Sequence, residues 1–149
     1  MNLYRNGVLK VVNSHLSDWE STHGEIPPGE TIEYQVGSCP LWGNYYGYVL
    51  MSRGTPWHTD KSPGLSLLWV LNNPGYILET DSKQYGEEEE FILFDPKEEH
   101  SLRCTNEEEP FVALCVEGSR PYRHHLRLLA ERLLAFDNLG AKPKGDKWN

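Results

Sequence analysis

The stretch Thr55-Pro56-Trp57-His58-Thr59-Asp60 sets an imidazole and a carboxylate two residues apart, where a strand-like segment runs out into a loop. Side chains at i and i+2 of an extended chain leave the same face, so His58 and Asp60 can converge on one point without unusual backbone geometry. A third donor, His100, comes far downstream in Phe94-Asp95-Pro96-Lys97-Glu98-Glu99-His100-Ser101, after an apolar run and a proline-containing turn. Two histidines and one carboxylate leave coordination positions open on a bound ion, which suits iron(II) meeting oxygen and a second substrate. A lone His-x-Asp is more often a hydrogen-bonded surface pair; the apolar segments flanking both pieces favour the metal reading here.

Strands must position these residues. From Thr31 onward, short alternating or apolar runs follow one another: Ile32–Val36, Tyr45–Met51, Leu65–Leu71, Tyr76–Thr80, Phe91–Phe94, Ser101–Cys104 and Phe111–Val116. Turn residues separate them, as in Pro63-Gly64 and Asn72-Asn73-Pro74-Gly75. That spacing predicts an all-β sandwich or jelly roll with its core over about residues 31–117. The first thirty residues are mixed, with Val8–Val12 read as a short strand and Ser17–Glu20 as a turn or helix start before Pro27-Pro28-Gly29 breaks the chain. Tyr122, Leu126, Leu129, Leu133 and Phe136 recur at helical spacing, which predicts an amphipathic helix over about 121–137 packed on a sheet. His124 and His125 fall on that helix and are read as surface or packing residues. Residues 142–149 form a polar, basic tail expected to be mobile.

Composition narrows the class. A chain of 149 residues with a formal charge of −8 is read as one domain, and the acidic balance disfavours nonspecific nucleic-acid binding. The runs Glu87–Glu90 and Glu107–Glu109 are read as solvated turns that keep strand edges soluble. Three cysteines, Cys39, Cys104 and Cys115, make neither a Cys-x-x-Cys pair nor an even framework, which predicts a reduced, cytoplasmic setting. Cys104 and Cys115 read as small buried hydrophobes. No secretory signal pattern or membrane-length apolar run is found, so a soluble protein is expected.

His58-x-Asp60 after a strand, the apolar strand ending Val70-Leu71-Asn72, the segment Pro74-Gly75-x-Ile77-Leu78, and Phe91-Ile92-Leu93-Phe94-Asp95-Pro96 leading to His100 together resemble the core of the iron(II)/2-oxoglutarate-dependent oxygenases, nearest the prolyl-hydroxylase-like branch. The resemblance covers about residues 45–117. It implies a double-stranded β-helix, or jelly roll, in which His58, Asp60 and His100 bind Fe(II) and Tyr48 contacts 2-oxoglutarate. It also implies hydroxylation of a C–H bond in a protein or small-molecule substrate, with succinate and carbon dioxide as coproducts. An intact Asp60 points to hydroxylation and away from halogenation, because halogenating relatives have a small residue there.

The sequence departs from the family pattern at one point. The basic residue that pairs with the far carboxylate of 2-oxoglutarate is expected on the strand after the second histidine, where this chain reads Glu107-Glu108-Glu109-Pro110-Phe111-Val112-Ala113. Arg103 is the first substitute considered, although strict alternation puts it on the face opposite His100 and Leu102. Arg120 is the reserve, with Arg53 and Lys61 also available. Ser38–Asn44 and Lys61–Gly64 are expected to border the site, with Trp42, Tyr45, Tyr46 and Trp57 as candidates for its wall. Two other readings remain: a cupin-like metal enzyme that uses no 2-oxoglutarate, and a noncatalytic jelly-roll binding module.

Overall fold

Phe111–Gly118 is buried almost from end to end, and its alternation accounts for the layering of the whole molecule. Phe111, Ala113 and Cys115 join one apolar cluster with Leu68, Tyr76 and Leu102, while Val112, Leu114 and Val116 join a second with Met51, Trp69 and Leu129. A strand with apolar contacts on both faces must lie between two layers, so it reads as a continuous apolar run. The computed structural model describes residues 2–35, 45–62, 64–104, 109–135 and 142–143. In chain order these form α1 (Asn2–His23), β1 (Thr31–Gln35), β2 (Tyr46–Ser52), β3 (Thr55–His58), β4 (Leu65–Asn72), β5 (Tyr76–Thr80), β6 (Gln84–Tyr85), β7 (Phe91–Phe94), β8 (His100–Cys104), β9 (Phe111–Gly118), α2 (Arg123–Ala135) and β10 (Lys142–Pro143).

The described strands make two antiparallel sheets, ordered β10-β1-β2-β9-β4-β7 and β3-β8-β5-β6. The arrangement is consistent with the jelly roll expected from strand spacing. Strands leave one sheet and enter the other at tight turns. Between β4 and β5, Asn73 Oδ1 accepts hydrogen bonds from the backbone N–H of Gly75 at 3.1 Å and of Tyr76 at 2.6 Å. Gly75 there has φ of 144°, a backbone state that favours glycine.

The chain before Thr31 departs from expectation. Val8–Val12 is not a strand, and Ser17–Glu20 is not a turn; both lie inside the 22-residue helix α1. The reason is visible in the burial. Val8, Val12 and Leu16 recur every four residues and are all buried, which is a helical stripe, and Trp19 packs against the same cluster. Local β-branching at Val11-Val12 suggested a strand, and tertiary packing overrode it. The fold is therefore mostly β with helices at both ends, not one helix alone. Residue 136 and those to 141 lie outside the described residues, as do Val36, Cys39 and the Ser38–Asn44 loop. The tail is described only at Lys142–Pro143, which pairs with β1.

Helix α2 packs through Leu126, Leu129, Ala130 and Leu133, all buried. Each buried leucine contributes about 1.5–3 kcal/mol relative to exposure. No helix among the described residues is long and apolar enough to cross a membrane. At the N-terminal end of α2, His125 is buried; its Nδ1 accepts from Tyr122 N–H at 3.0 Å and its ring stacks on Tyr45 at 4.2 Å. Burial, and then the neighbouring His124, push the His125 pKa below its ordinary value. The unfolded chain therefore binds the proton at a higher pH than the folded one. Stability is full above the ordinary histidine range and falls as pH drops from there toward the lowered folded value. Urea midpoints measured across that range are expected to decline, and His125→Gln to decline less steeply.

Candidate metal centre

Local chain chemistry fixes each donor. β3 is an edge strand, which is where Pro56 can sit without breaking a ladder. Leu102 N–H donates to Thr55 Oγ1 at 3.0 Å, the register shifts between Thr55 and His58, and His58 then stands directly opposite His100 on β8. The strand exit is tied down in turn, since Asp60 N–H donates to Pro96 O at 2.8 Å. Pro96 belongs to a turn closed by Glu98 N–H on Asp95 O, and Lys97 N–H donates to the Asp95 carboxylate at 3.0 Å. Hydrogen bonds from Lys97 hold that carboxyl below its ordinary value.

His58, Asp60 and His100 converge, with one donor atom from each lying within 4.8 Å of the others. His58 Nε2 is 3.6 Å from Asp60 Oδ1, and His100 Nε2 is 3.2 Å from Asp60 Oδ2. Three donors about 2.1 Å from one divalent ion stand roughly 3.0–3.4 Å apart in octahedral or tetrahedral geometry, so small side-chain adjustments bring this set to binding distance. Orientation supports the fit. His58 Nδ1 lies 2.7 Å from Pro56 O and His100 Nδ1 lies 2.8 Å from Glu98 O. A carbonyl only accepts, so each Nδ1 is the donor and each ring turns its Nε2 toward Asp60. Such backbone partners are how ligating histidines are held in one tautomer and one ring orientation. Phe94 packs edge-on against His100 at 5.0 Å, and the His100 side chain is only 6% exposed, whereas Asp60 is half exposed.

The three residues stand at one part of a cavity of about 150 Å³ between the sheets. Leu68, Leu102, Phe94 and Phe111 give it apolar walls, and Tyr48, Ser66, Cys115, Glu33 and Glu117 line it from the six-stranded sheet. Tyr48 Oη donates to Glu117 Oε1 at 2.8 Å, and Ser66 Oγ donates to the same oxygen at 3.1 Å. Burial, then Cys115 and the carboxylates of Glu117 and Glu33, push the Tyr48 phenol well above its ordinary value. Burial and the same carboxylates do likewise to the Cys115 thiol, which a hydrogen bond with Tyr48 partly offsets.

Tyr48 thus lines the same cavity as the triad, while Arg103 does not. Register pairs Arg103 with Ile77 on the outward side of β8, and Arg103 Nε donates to Glu79 Oε1 at 3.3 Å from a side chain more than half exposed. No bulge intervenes to turn it inward. Arg53 Nη1 donates to Ile26 O, and the Arg120 backbone meets the Tyr45 hydroxyl, so neither reaches the cavity wall either. Among the described lining residues there is no lysine or arginine. Tyr45 packs on His125 instead of walling the site, and Trp57 is half exposed beside His58. Trp42 lies outside the described residues.

Glu33, Ser66 and Glu117 were not singled out by sequence. Ser66 interrupts an apolar run and Glu117 ends one inside a strand, which is a usable signal. Glu33 misleads: Ile32 beside it is the apolar partner in the alternation, but Ile32 packs toward the helices and Glu33 faces the cavity.

No family model and no curated protein matches the chain. Solved structures with a similar fold include a cupin 2 conserved barrel domain protein from Rhodopseudomonas palustris, at 12% identity and a TM-score of 0.48, over 66% of this chain and 68% of that one. A cupin-like protein from Thermotoga maritima is similar at 16% identity and a TM-score of 0.46, over 60% and 68% of the two chains. The cupin 2 domain of an XRE family transcriptional regulator from Enterobacter cloacae is similar at 10% identity and a TM-score of 0.47, over 62% and 98%.

Proposed function

We propose that the chain is a metal-dependent oxidoreductase in which His58, Asp60 and His100 hold iron(II) at the entrance of a cavity that takes a small organic substrate. The observation that carries this reading is the pair of Nδ1 hydrogen bonds to Pro56 O and Glu98 O, which turn both Nε2 atoms toward the Asp60 carboxylate. Bound there, iron(II) supplies open coordination positions for oxygen and a substrate atom. The chain's own residues do the rest. Asp60, anchored through its N–H, supplies the anionic donor; Phe94 and Leu102 keep water from the His100 side; the row from Ser66 to Glu33 orients the far end of the substrate. Metal analysis after purification without added metal, followed by anaerobic iron(II) titration and oxygen uptake, tests the proposal. Failure to bind any divalent ion would return the cluster to a structural role in a binding module.

A 2-oxoglutarate-dependent hydroxylase of the prolyl-hydroxylase-like type is the second reading, favoured by Tyr48 lining the cavity with the triad. Its difficulty is charge. A buried dicarboxylate needs a cation at its far end, and the described walls offer two glutamates. Succinate release on addition of 2-oxoglutarate decides between the two. Arg103→Ala is expected to leave iron affinity and any 2-oxoglutarate consumption unchanged, and stability within about 0.5 kcal/mol, because its ion pair is exposed. A large loss of 2-oxoglutarate binding in that variant would restore Arg103 as the anchor.

A further inference from the structure

The first turn of α2 is closed by a side chain that can take up a proton. Tyr122 stands one residue before the helix, and His125 is the third residue within it. Tyr122 O accepts from His125 N–H at 3.0 Å, and His125 Nδ1 accepts from Tyr122 N–H at 3.0 Å. The second bond is one half of a capping box, in which a glutamate or glutamine at the third position reaches back to the N–H that precedes the helix. Here an imidazole takes that place. A backbone N–H only donates, so the ring must keep a lone pair on Nδ1 for the cap to hold.

The same ring holds a second element. It stacks on Tyr45 with centroids 4.2 Å apart, and the Tyr45 hydroxyl donates to Arg120 O at 2.8 Å and accepts from Arg120 N–H at 3.1 Å. Tyr45 also lies against Gly118, where a Cβ would fall 2.1 Å from its Cδ1. His125, Tyr45 and Arg120 thus close one joint between the end of β9, the start of β2 and the start of α2.

A proton breaks that joint at its centre. An imidazolium has no lone pair for Tyr122 N–H, and it sets a positive charge at a helix N-terminus that is already positive. The charges around the ring do not relieve this. On α2, His124 lies 4.2 Å away as a second base, Arg123 rests on the Phe91 ring and Arg127 pairs with Glu131. Tyr45 and Tyr46 come from the β2 side, Glu117 of β9 faces the cavity, and β4 carries no charged residue. Helix α1 shares a core cluster with α2 through Val8, Val12 and Leu16, and its His15 and Glu20 are half-buried. Burial and then His124 lower the His125 pKa, and no carboxylate opposes them.

We propose that His125 is a proton-operated latch: when its ring is protonated it releases Tyr122 N–H and Tyr45, so that the first turn of α2 and the link from Gly118 open together while the sheets stay folded. The latch is closed in the ordinary histidine range and opens as pH falls below it. The metal centre takes no part in it.

The test is nuclear magnetic resonance on the metal-free chain, following the His125 ring nitrogens and the hydrogen exchange of single amides as pH is lowered, each rate corrected for its intrinsic pH dependence. As His125 gains its proton, protection at Tyr122 and Arg120 should fall about fivefold or more, the usual worth of a helix cap, while Leu114 in the core of β9 stays protected. His125→Gln keeps an acceptor at the third position but does not titrate, so Tyr122 should stay protected and the step should vanish. Tyr45→Phe should expose the Arg120 amide at every pH and leave the Tyr122 step in place. His124→Gln, an exposed position outside the joint, should move the step to higher pH, and it serves should His125→Gln fail to fold. Tyr122 protected throughout the His125 titration, a step that persists in His125→Gln or stays unmoved in His124→Gln, or Leu114 opening at the same pH overturns the proposal.

Discussion

Replacing His58 with alanine is expected to abolish binding of iron(II) or manganese(II) while the protein stays folded. His58 sits on the edge strand β3 with a third of its side chain exposed, so little core contact is lost. The metal loses one of three protein donors, and the remaining Asp60 and His100 form too weak a chelate to compete with water and buffer. His100→Ala should also abolish binding but destabilise the fold as well. Its ring is buried against Phe94, and its removal leaves Glu98 O without a donor. A cost of about 1–3 kcal/mol in urea unfolding is expected for His100→Ala and under about 0.5 kcal/mol for His58→Ala. Manganese(II) titration with urea unfolding of each variant checks both halves. Wild-type affinity in His58→Ala would remove the triad.

The second large effect is predicted away from the donors. Gly64 precedes β4, whose first residue Leu65 pairs with Gly118 at the end of β9. A Cβ on Gly64 would lie 2.0 Å from Gly118 O and 2.7 Å from Ser119 N, both backbone atoms with no rotamer to yield. Gly64→Ala must therefore prise β4 from β9 at that end, costing about 3 kcal/mol, or roughly 10 °C in Tm for a domain of this size. The segment leading back to Asp60 moves with it, and Lys97 Nζ, which donates to Gly64 O at 3.1 Å, loses its place beside the Asp95 turn. Metal affinity should fall together with Tm. A Gly64→Ala protein with wild-type Tm would show that the two strands have room to separate. Normal metal affinity alongside lowered Tm would show that Asp60 is held by its bond to Pro96 alone.

Strand content was legible because alternation and β-branching are local properties. Leu65–Leu71, Phe91–Phe94 and Phe111–Val116 each lie within an observed strand, and the buried leucines of α2 follow from spacing alone. Helix α1 was not legible. Its stripe of Val8, Val12 and Leu16 is interrupted by charged and polar residues and by β-branched neighbours, and it becomes a helix through packing beside α2 on β4.

The sequence by itself determined that His58 and Asp60 share a side of the chain, since two residues on an extended segment face alike. Alternation set Arg103 opposite His100 and Leu102, yet Arg103 was still the first candidate for the anchor, and it was the structure that placed its side chain on Glu79, off the cavity wall. Only tertiary structure decided that β3 and β8 are neighbours and that a register shift sets His58 across from His100. No local rule pairs strands forty residues apart, because that pairing depends on which sheet each strand joins. Tertiary structure likewise decided which described side chains line the cavity. Alternation along β1 marks Ile32 and Glu33 as opposite, but both faces of the six-stranded sheet are covered, one by helices and one by the other sheet. Which of the two residues meets the helices and which meets the cavity depends on that layering, and it is why Glu33 lines the site.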